Sequence, residues 1–577
     1  MPSKLAYCYK HTMDNKQKLR NTLLFFLAFL AFWLLLFAKC RYGFPQDEAF
    51  YILFCHRFIN GDIPILHEWN PTQISAIWLQ PLVWLYYKVI GSSDGIILFF
   101  RYLFTVIWGV AALFLFYRLR KLSFAGAAIS SLLFLIFIPY GQMALYYNTI
   151  GLICVTFALV IIITAEKKIY LQYVVSGFMF AVAVTCCPFL LSMYAAMFIA
   201  VLVALLRKHK QLFRLFCCIT IGAIPAVILV YWFYITPSSF REVIIGLKHL
   251  TADRQHQFTY FGKFTGFFKS LNASSKLFLP ITVLVSALTL TAKLSRDKKL
   301  KAACLILVCI SVLVLDVSYF SIMQKPSHCF MFTPIFIGFY CGVLSDDKTS
   351  KRLFYNLYIP GIIYMFCINI SSNVGFDASL IPSVICSIAS VLIFVCFFKE
   401  YDVSLKKDIL KLISLVVFSF VILFSFVVQL GIMCFFTYAD DKKSELTALI
   451  KRGPMNGIYT SEEKYSVYSN TVNDLETLKG YNSEKILLLT GFWYYLDINK
   501  KPSCSSCFFS ADDYYLDQLE EYYGLYPQFI PDIIYLGNDH IDLLNRVKSY
   551  GYQSIKTKTG AYFLFRENNR PNDLLSE

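Results

Sequence analysis

Charge is what this sequence has least of. Only 16% of its 577 residues are Asp, Glu, Lys or Arg, whereas a soluble chain of this length carries roughly a quarter. With 57% hydrophobic residues, that shortage excludes an ordinary water-soluble fold and describes a polytopic membrane chain. Other absences narrow the chemistry. There is no Gly-x-Ser-x-Gly, no His-Glu-x-x-His and no Walker loop, so hydrolytic readings find little support. No internal repeat or low-complexity tract stands out. No long basic tract is interleaved with aromatics, which argues against nucleic acid as a partner.

Cysteine is plentiful, at eighteen residues, but most lie singly in apolar runs (Cys154, Cys304, Cys386, Cys434), where a thiol behaves as a small hydrophobe. Only Cys504-x-x-Cys507 falls in a polar segment. A lone pair of this kind is weak evidence for metal; a disulfide and two free thiols are equally open readings.

The net charge of +16 is concentrated in short clusters between apolar runs: Arg118–Lys121, Arg207–Arg214 and Lys293–Lys299. Such clusters mark cytoplasmic loops. The N-terminus, with Lys4, Lys10, Lys16, Lys18 and Arg20 before an apolar run, resembles an uncleaved signal anchor. Apolar runs near 21–39, 96–117, 124–139, 149–165, 171–186, 188–206, 215–235, 277–292, 302–319, 329–344, 353–370, 380–398 and 412–437 predict about thirteen spans, against a requirement of about 20 residues each. With the basic N-terminus in the cytoplasm, odd parity places the C-terminus outside. Residues 74–91 are apolar too, but counting them as a span inverts the charge rule along the rest of the chain. Their Trp and Tyr content and Pro81 fit a helix lying on the outer membrane surface.

The chain therefore divides into a transmembrane part, 1–437, and a smaller part, 438–577, on the outer side. In the latter, short strands near 457–460, 486–490, 533–537 and 561–566 alternate with helical patterns near 462–479, 512–523 and 540–550, predicting a small α/β domain. The first outer loop, about 40–95, holds one surface helix near 46–60, ended by Asn60-Gly61, and a second near 74–90.

That first helix opens with Asp47-Glu48. Carboxylates at a helix start are often simple caps. Two adjacent acids beside the first span are also costly to hold at the edge of hydrocarbon, which makes them candidates for chemistry. Asp47, Tyr51, Phe54 and Phe58 share one face of the helix.

The stretch Asp47-Glu48-x-x-Tyr51, Arg57, Gly61-Asp62-x-Pro64, Trp78-x-x-Pro81-Leu82-x-x-x-Leu85 and Gly91, followed by Arg101 at a span entrance, resembles the first outer loop of the C-type (GT-C) glycosyltransferases. It is nearest to the branch of protein O-mannosyltransferases and bacterial aminoarabinose (lipid A) transferases. The resemblance implies an α-helical polytopic membrane protein of about thirteen helices with a small extracytoplasmic C-terminal α/β domain. It also implies transfer of a sugar from a polyprenyl-phosphate donor to a hydroxyl on a glycan, lipid or protein acceptor. Asp47 is then the base that activates the hydroxyl, and Glu48 orients the site. Arg57, Arg101, Arg254, His256, Lys325 and His328 are the candidate cations for the departing phosphate. Tyr51, Asp62, Glu68, Trp69 and Asn148 are the candidate sugar or acceptor contacts.

Relatives often carry a second acid in the next outer loop. Here that loop, 140–148, has none, and Asn148 can hydrogen-bond a sugar but cannot act as a base. No Asp-x-Asp stands in the first loop either. No cofactor is implied, and a divalent cation has only Asp47 and Glu48 to hold it. Two other classes compete. A flippase or transporter of polyprenyl-linked glycan calls for ionisable residues deep in several spans, where Asp316 stands almost alone. A polymerase or ligase of surface polysaccharide is kept open by the basic loop near 236–276. The outer segment has no dense cysteine framework, which favours a bacterial plasma membrane.

Overall fold

The computed structural model describes residues 4–45, 47–166, 168–251, 276–323, 333–371, 375–400, 409–437, 442–478, 484–498, 500–507 and 513–566, with a few positions between 262 and 269. Long apolar runs become helices because a helix satisfies every backbone polar group within itself, which hydrocarbon demands. Among the described residues, each of the predicted apolar runs overlaps a helix. Among the described residues, eight helices are long and apolar enough to cross a membrane, and four shorter apolar helices accompany them. The chain is a helical membrane protein with a small C-terminal sheet region.

The helices that position the candidate site come early. They are α1 (Lys4–Lys39), α2 (Glu48–Ile59), α3 (Ala76–Ile90), α4 (Ile96–Leu119), α5 (Phe124–Ile136), α6 (Tyr147–Ile163), α7 (Ile169–Cys186), α8 (Leu191–Leu206) and α9 (Lys210–Val230), followed by α10 (Phe240–Thr251). Local chemistry sets their ends. Ser123 caps α5, its hydroxyl accepting from Gly126 N at 3.3 Å. Asn70 caps the single 3-10 turn before α3, accepting from Thr72 N at 2.9 Å. Gly91 closes α3 in the left-handed region at φ 77°, where a side chain is unfavourable. The break expected near Cys187-Pro188 is real: α7 stops at Cys186, a 3-10 turn spans Pro188–Leu190, and α8 begins at Leu191.

The helix Leu380–Glu400 is buried along almost its whole length and packs against α5, α6 and the helix Thr333–Leu344. Helices α1, α8 and α9 instead leave large apolar side chains on the outside, among them Leu23, Leu24, Ile199, Ile221 and Ile224. A belt of this kind is unsuited to water and natural against lipid. Helices α7 and α9 approach each other closely. A Cβ on Gly177 would collide with the Ile219 carbonyl, and one on Gly222 with the Val174 carbonyl. Two glycines facing each other's partner backbone let the helices touch.

Both helices predicted in the 40–95 loop are present as α2 and α3. Helix α3 buries Ile77, Leu79, Val83 and Tyr86 and exposes Trp84, Leu85, Val89 and Ile90.

The C-terminal region holds strands β1 (Ala448–Leu449), β2 (Tyr459–Thr460), β3 (Lys485–Leu489), β4 (Lys501–Pro502), β5 (Ile533–Leu536), β6 (Tyr552–Lys556) and β7 (Tyr562–Arg566). Strands β1 and β2 form a short antiparallel pair. The other five make one sheet in the order β4-β3-β5-β7-β6, with β4, β3 and β5 parallel and β7 and β6 antiparallel. Register runs Ile486 to Ile533 and Ile533 to Phe565. The all-apolar β5 is buried at every residue, as expected of a strand covered on both faces. Strands β1, β4 and β6 were not anticipated, and β2 is shorter than its predicted run.

This region docks on the segments either side of α2 and α3. Tyr459 N donates to Arg41 O at 2.6 Å, and Gly43 N to Tyr459 O at 3.0 Å. Asn456 donates to Asp94 Oδ2 at 2.7 Å. Phe50 of α2 meets Phe492 edge-on, with ring centroids 4.6 Å apart.

Candidate functional site

Glu48 and Arg101 form the floor of the site. Arg101 lies in the second turn of α4 and is buried, as is Glu48. Its Nε donates to both Glu48 carboxylate oxygens, at 3.1 and 3.0 Å, and Nη2 also reaches Glu48 Oε1. The remaining donors go to backbone carbonyls of the α1–α2 connection: Cys40 O at 3.0 Å, Tyr42 O at 3.2 Å and Gly43 O at 2.9 Å. A guanidinium has five N–H donors and no more. Arg101 is thus committed to holding the start of α2, with no donor left over for a phosphate. A void of about 10 Å³, the size of one water, lies beside the pair and is lined by Met143 and Leu145.

Asp47 is placed differently. It takes the N-cap position of α2, but its side chain makes no capping hydrogen bond, so the simple capping reading does not account for it. The residue is partly exposed. Its charge is felt by two phenols, Tyr51 and Tyr147. Tyr51 is buried one turn further along α2. Its ring lies 5.5 Å from Tyr146 and 5.9 Å from Tyr147, and a hydrogen bond joins it to Thr72. Burial pushes the Tyr51 phenol well above its ordinary range, with Tyr147 and Asp47 adding to the rise. Asn148 is buried in the first turn of α6, its side chain hydrogen-bonded to that of Tyr147. Asp47, Tyr51 and Asn148 are therefore brought together, with Tyr147 between them. Tyr146 and Tyr147 were not anticipated. Their signal was an aromatic pair directly before Asn148 in a short break between apolar runs.

The other predicted residues gather elsewhere, at the joint with the C-terminal region. Arg57 is buried. It donates from Nε to Asp62 Oδ2 at 2.6 Å and from Nη1 to Glu68 Oε2 at 2.7 Å. Nη2 donates to Cys504 O at 3.1 Å and to the His67 carbonyl. Nη1 also lies 3.6 and 3.5 Å from the sulfurs of Cys504 and Cys507. Lys501 approaches Asp62 at 3.4 Å. Glu68 further accepts from Cys507 N and Asn70 N, each at 3.1 Å. The expectation of phosphate binding at Arg57 and of sugar contacts at Asp62 and Glu68 meets a plain obstacle: each faces a buried protein partner. Trp69 is likewise buried, stacked on His249 of α10 at 4.1 Å and edge-on to Tyr522 at 5.3 Å. It is a packing anchor in this arrangement.

Two histidines lie nearby, His56 in the last turn of α2 and His67 in the loop that follows it. Burial pushes His56 and His67 down to about 4, in each case against the pull of Asp62. His67 Nδ1 accepts from Ile63 N at 3.0 Å, a bond that only the unprotonated nitrogen can make.

Arg254, His256, Lys325 and His328 lie outside the described residues. Among the described residues, no group of three or more His, Cys, Asp or Glu side chains gathers to hold a metal. Glu48 turns into its ion pair with Arg101, so the two neighbouring acids are not arranged as a joint ligand set. An apolar cavity of about 370 Å³ opens among α6 to α9, lined by Leu159, Phe180, Met193, Met197 and Phe216. It sits toward the far end of α6 from Tyr147, roughly 17 Å along the axis at 1.5 Å per residue. No family model matches the chain, and no curated protein matches it.

Proposed function

We propose that this chain is an integral-membrane glycosyltransferase that moves a sugar from a polyprenyl-phosphate donor to a hydroxyl acceptor at the outer face of the membrane. On this reading the apolar helices make about thirteen spans. The N-terminus is cytoplasmic and the C-terminal α/β region lies outside, in a bacterial plasma membrane. The acceptor is a glycan, lipid or protein.

The reading is carried by the division between two adjacent carboxylates. Glu48 is turned inward to a buried ion pair with Arg101, and Asp47 stands partly exposed at the start of α2, where its charge reaches Tyr51 and Tyr147. A neutral hydroxyl is a poor nucleophile and needs a base within hydrogen-bond reach. Asp47 takes the hydroxyl proton, the oxygen bonds to the anomeric carbon, and the bond from that carbon to the phosphate oxygen breaks. Polyprenyl phosphate leaves with the electron pair. Tyr51, Tyr147 and Asn148 form the polar and aromatic wall beside the base, a combination suited to a hydroxylated ring. Since Arg57 and Arg101 spend their donors inside the protein, charge neutralisation at the phosphate falls to Arg254, His256, Lys325 and His328.

The test is Asp47→Asn, assayed in membranes with polyprenyl-phosphate sugars labelled in the sugar. Transfer should drop on the order of 10²–10⁴-fold, the usual value of a general base, with expression unchanged. Transfer at the wild-type rate overturns the assignment.

A further inference from the structure

Cys504 and Cys507 are the only cysteines after Cys434 in the chain, so neither has another partner in its own region. Both are buried. Their sulfurs touch the same nitrogen, Arg57 Nη1, at 3.6 and 3.5 Å. A cation stands against both sulfurs, which disfavours a metal ion in the same place. The backbone around them is held residue by residue. Tyr523 donates to Ser503 O at 2.7 Å and Arg57 to Cys504 O at 3.1 Å. Trp69 N donates to Ser505 O at 2.6 Å, and Tyr515 to Ser506 O at 3.3 Å. Cys507 N donates to Glu68 at 3.1 Å. The loop is a built seat for two adjacent sulfurs.

We propose that Cys504 and Cys507 are a site of covalent modification, joined in the mature protein as an intrachain disulfide seated against Arg57. The inference rests on the reading that the C-terminal region faces the outer compartment, where thiols are oxidised. The oxidant is a protein disulfide of that compartment. One cysteine thiolate attacks a donor sulfur, forming a mixed disulfide and releasing one donor thiolate. The second attacks the sulfur of the first cysteine and releases the other donor thiolate. The two cysteine protons end on the two donor thiols, so the donor is reduced by two electrons and this chain is oxidised by two. The bond forms before the loop settles on Arg57. Once it is seated, burial shields it; in a loop that seats while still reduced, the same burial pushes the Cys507 thiol well up, away from the reactive thiolate.

The experiment uses the full chain. Cells are quenched in acid, the denatured protein is alkylated with N-ethylmaleimide without reductant, and the peptide carrying both cysteines is weighed. A Lys548→Cys variant, probed in intact cells with a membrane-impermeant maleimide, separately reports the side of the membrane. Position 548 is exposed. The expected result is a peptide lighter by two hydrogens and unalkylated until reduced, with Lys548→Cys labelled from outside. In Cys504→Ser, the remaining Cys507 should be alkylated without reductant. Two alkylated cysteines in the wild type overturn the disulfide. If Lys548→Cys is labelled from outside in that case, the topology stands and the disulfide alone fails. Protection of Lys548→Cys from the outside reagent overturns the topology and with it the oxidising setting.

Discussion

Glu48 and Arg101, separated by 53 positions in sequence, meet as a buried ion pair in which Arg101 Nε reaches both carboxylate oxygens. The same guanidinium holds three carbonyls of the α1–α2 connection. Removing it strands a buried charge. Arg101→Met should therefore destabilise the protein by about 3–5 kcal/mol, the cost of breaking a buried pair. Glu48→Gln with Arg101→Met should cost less than the sum of the two single changes, because no unpaired charge remains. Thermal unfolding in detergent reads both effects; additive losses would show that the pair is not coupled.

Arg57 is the joint between the α2–α3 loop and the C-terminal region. Arg57→Ala leaves Asp62 and Glu68 buried without their cation and should also cost about 3–5 kcal/mol. The change should loosen the C-terminal region selectively. Limited proteolysis between 437 and 447 should quicken at least several-fold while the helices before 437 remain protected. Equal susceptibility in the variant and the parent would show that the two parts are held chiefly by other contacts.

Acid should weaken the same loop. The neutral forms of His56 and His67 are the ones packed, and burial has lowered both to about 4 from an unfolded value near 6.5. Between these values the unfolded chain binds more protons, so the stabilisation is full above about pH 6.5 and drains away as pH falls toward 4. His67→Asn keeps an acceptor for Ile63 N and cannot be protonated. Its melting temperature should fall less steeply than that of the parent across this window. Parallel curves for the two proteins would remove His67 from the account.

Helices α7 and α9 touch through Gly177 and Gly222. Gly177→Ala places a methyl group against the Ile219 carbonyl, and Gly222→Ala does the same against Val174. Each should cost about 1–3 kcal/mol, as overpacking does. Gly431→Ala, which has open space around its Cβ, is the control and should be tolerated. Thermal stability indistinguishable across all three variants would mean that α7 and α9 separate freely.

The helical part of this fold was legible because hydrocarbon imposes one requirement, a long apolar run with its backbone paired internally, and the sequence writes that requirement continuously. The α2 and α3 helices were legible from Asn60-Gly61, Pro81 and Gly91. Strands β1 and β4 were not, since two residues carry no period; β4 is Lys501-Pro502, with proline in the run. Strand β6 was hidden by its polar and charged residues, Gln553, Ser554 and Lys556. Asp47, Tyr51 and Asn148, which the structure brings together, were singled out from the position of the acidic pair and from the resemblance of the first outer loop. The commitments of Arg57 and Arg101 were not. An arginine near a membrane face reads the same whether it awaits a ligand or is already satisfied; the partner of Arg101 is 53 positions away, and although Asp62 and Glu68 stand near Arg57 in the chain, the Cys504 carbonyl that completes its shell is 447 positions away.

The α1–α2 connection is strapped to α4 by Arg101, which holds three of its carbonyls, with Cys40 against Thr105 beside it, and this decides what steers the neighbouring acid. Asp47 borrows its bearings from a helix to which it does not belong. A tilt of α4 would swing that carboxylate like the tip of a lever whose fulcrum is Arg101. Anything pressing on α4 from within the bilayer, a bound lipid tail included, would then turn the Asp47 side chain without touching it.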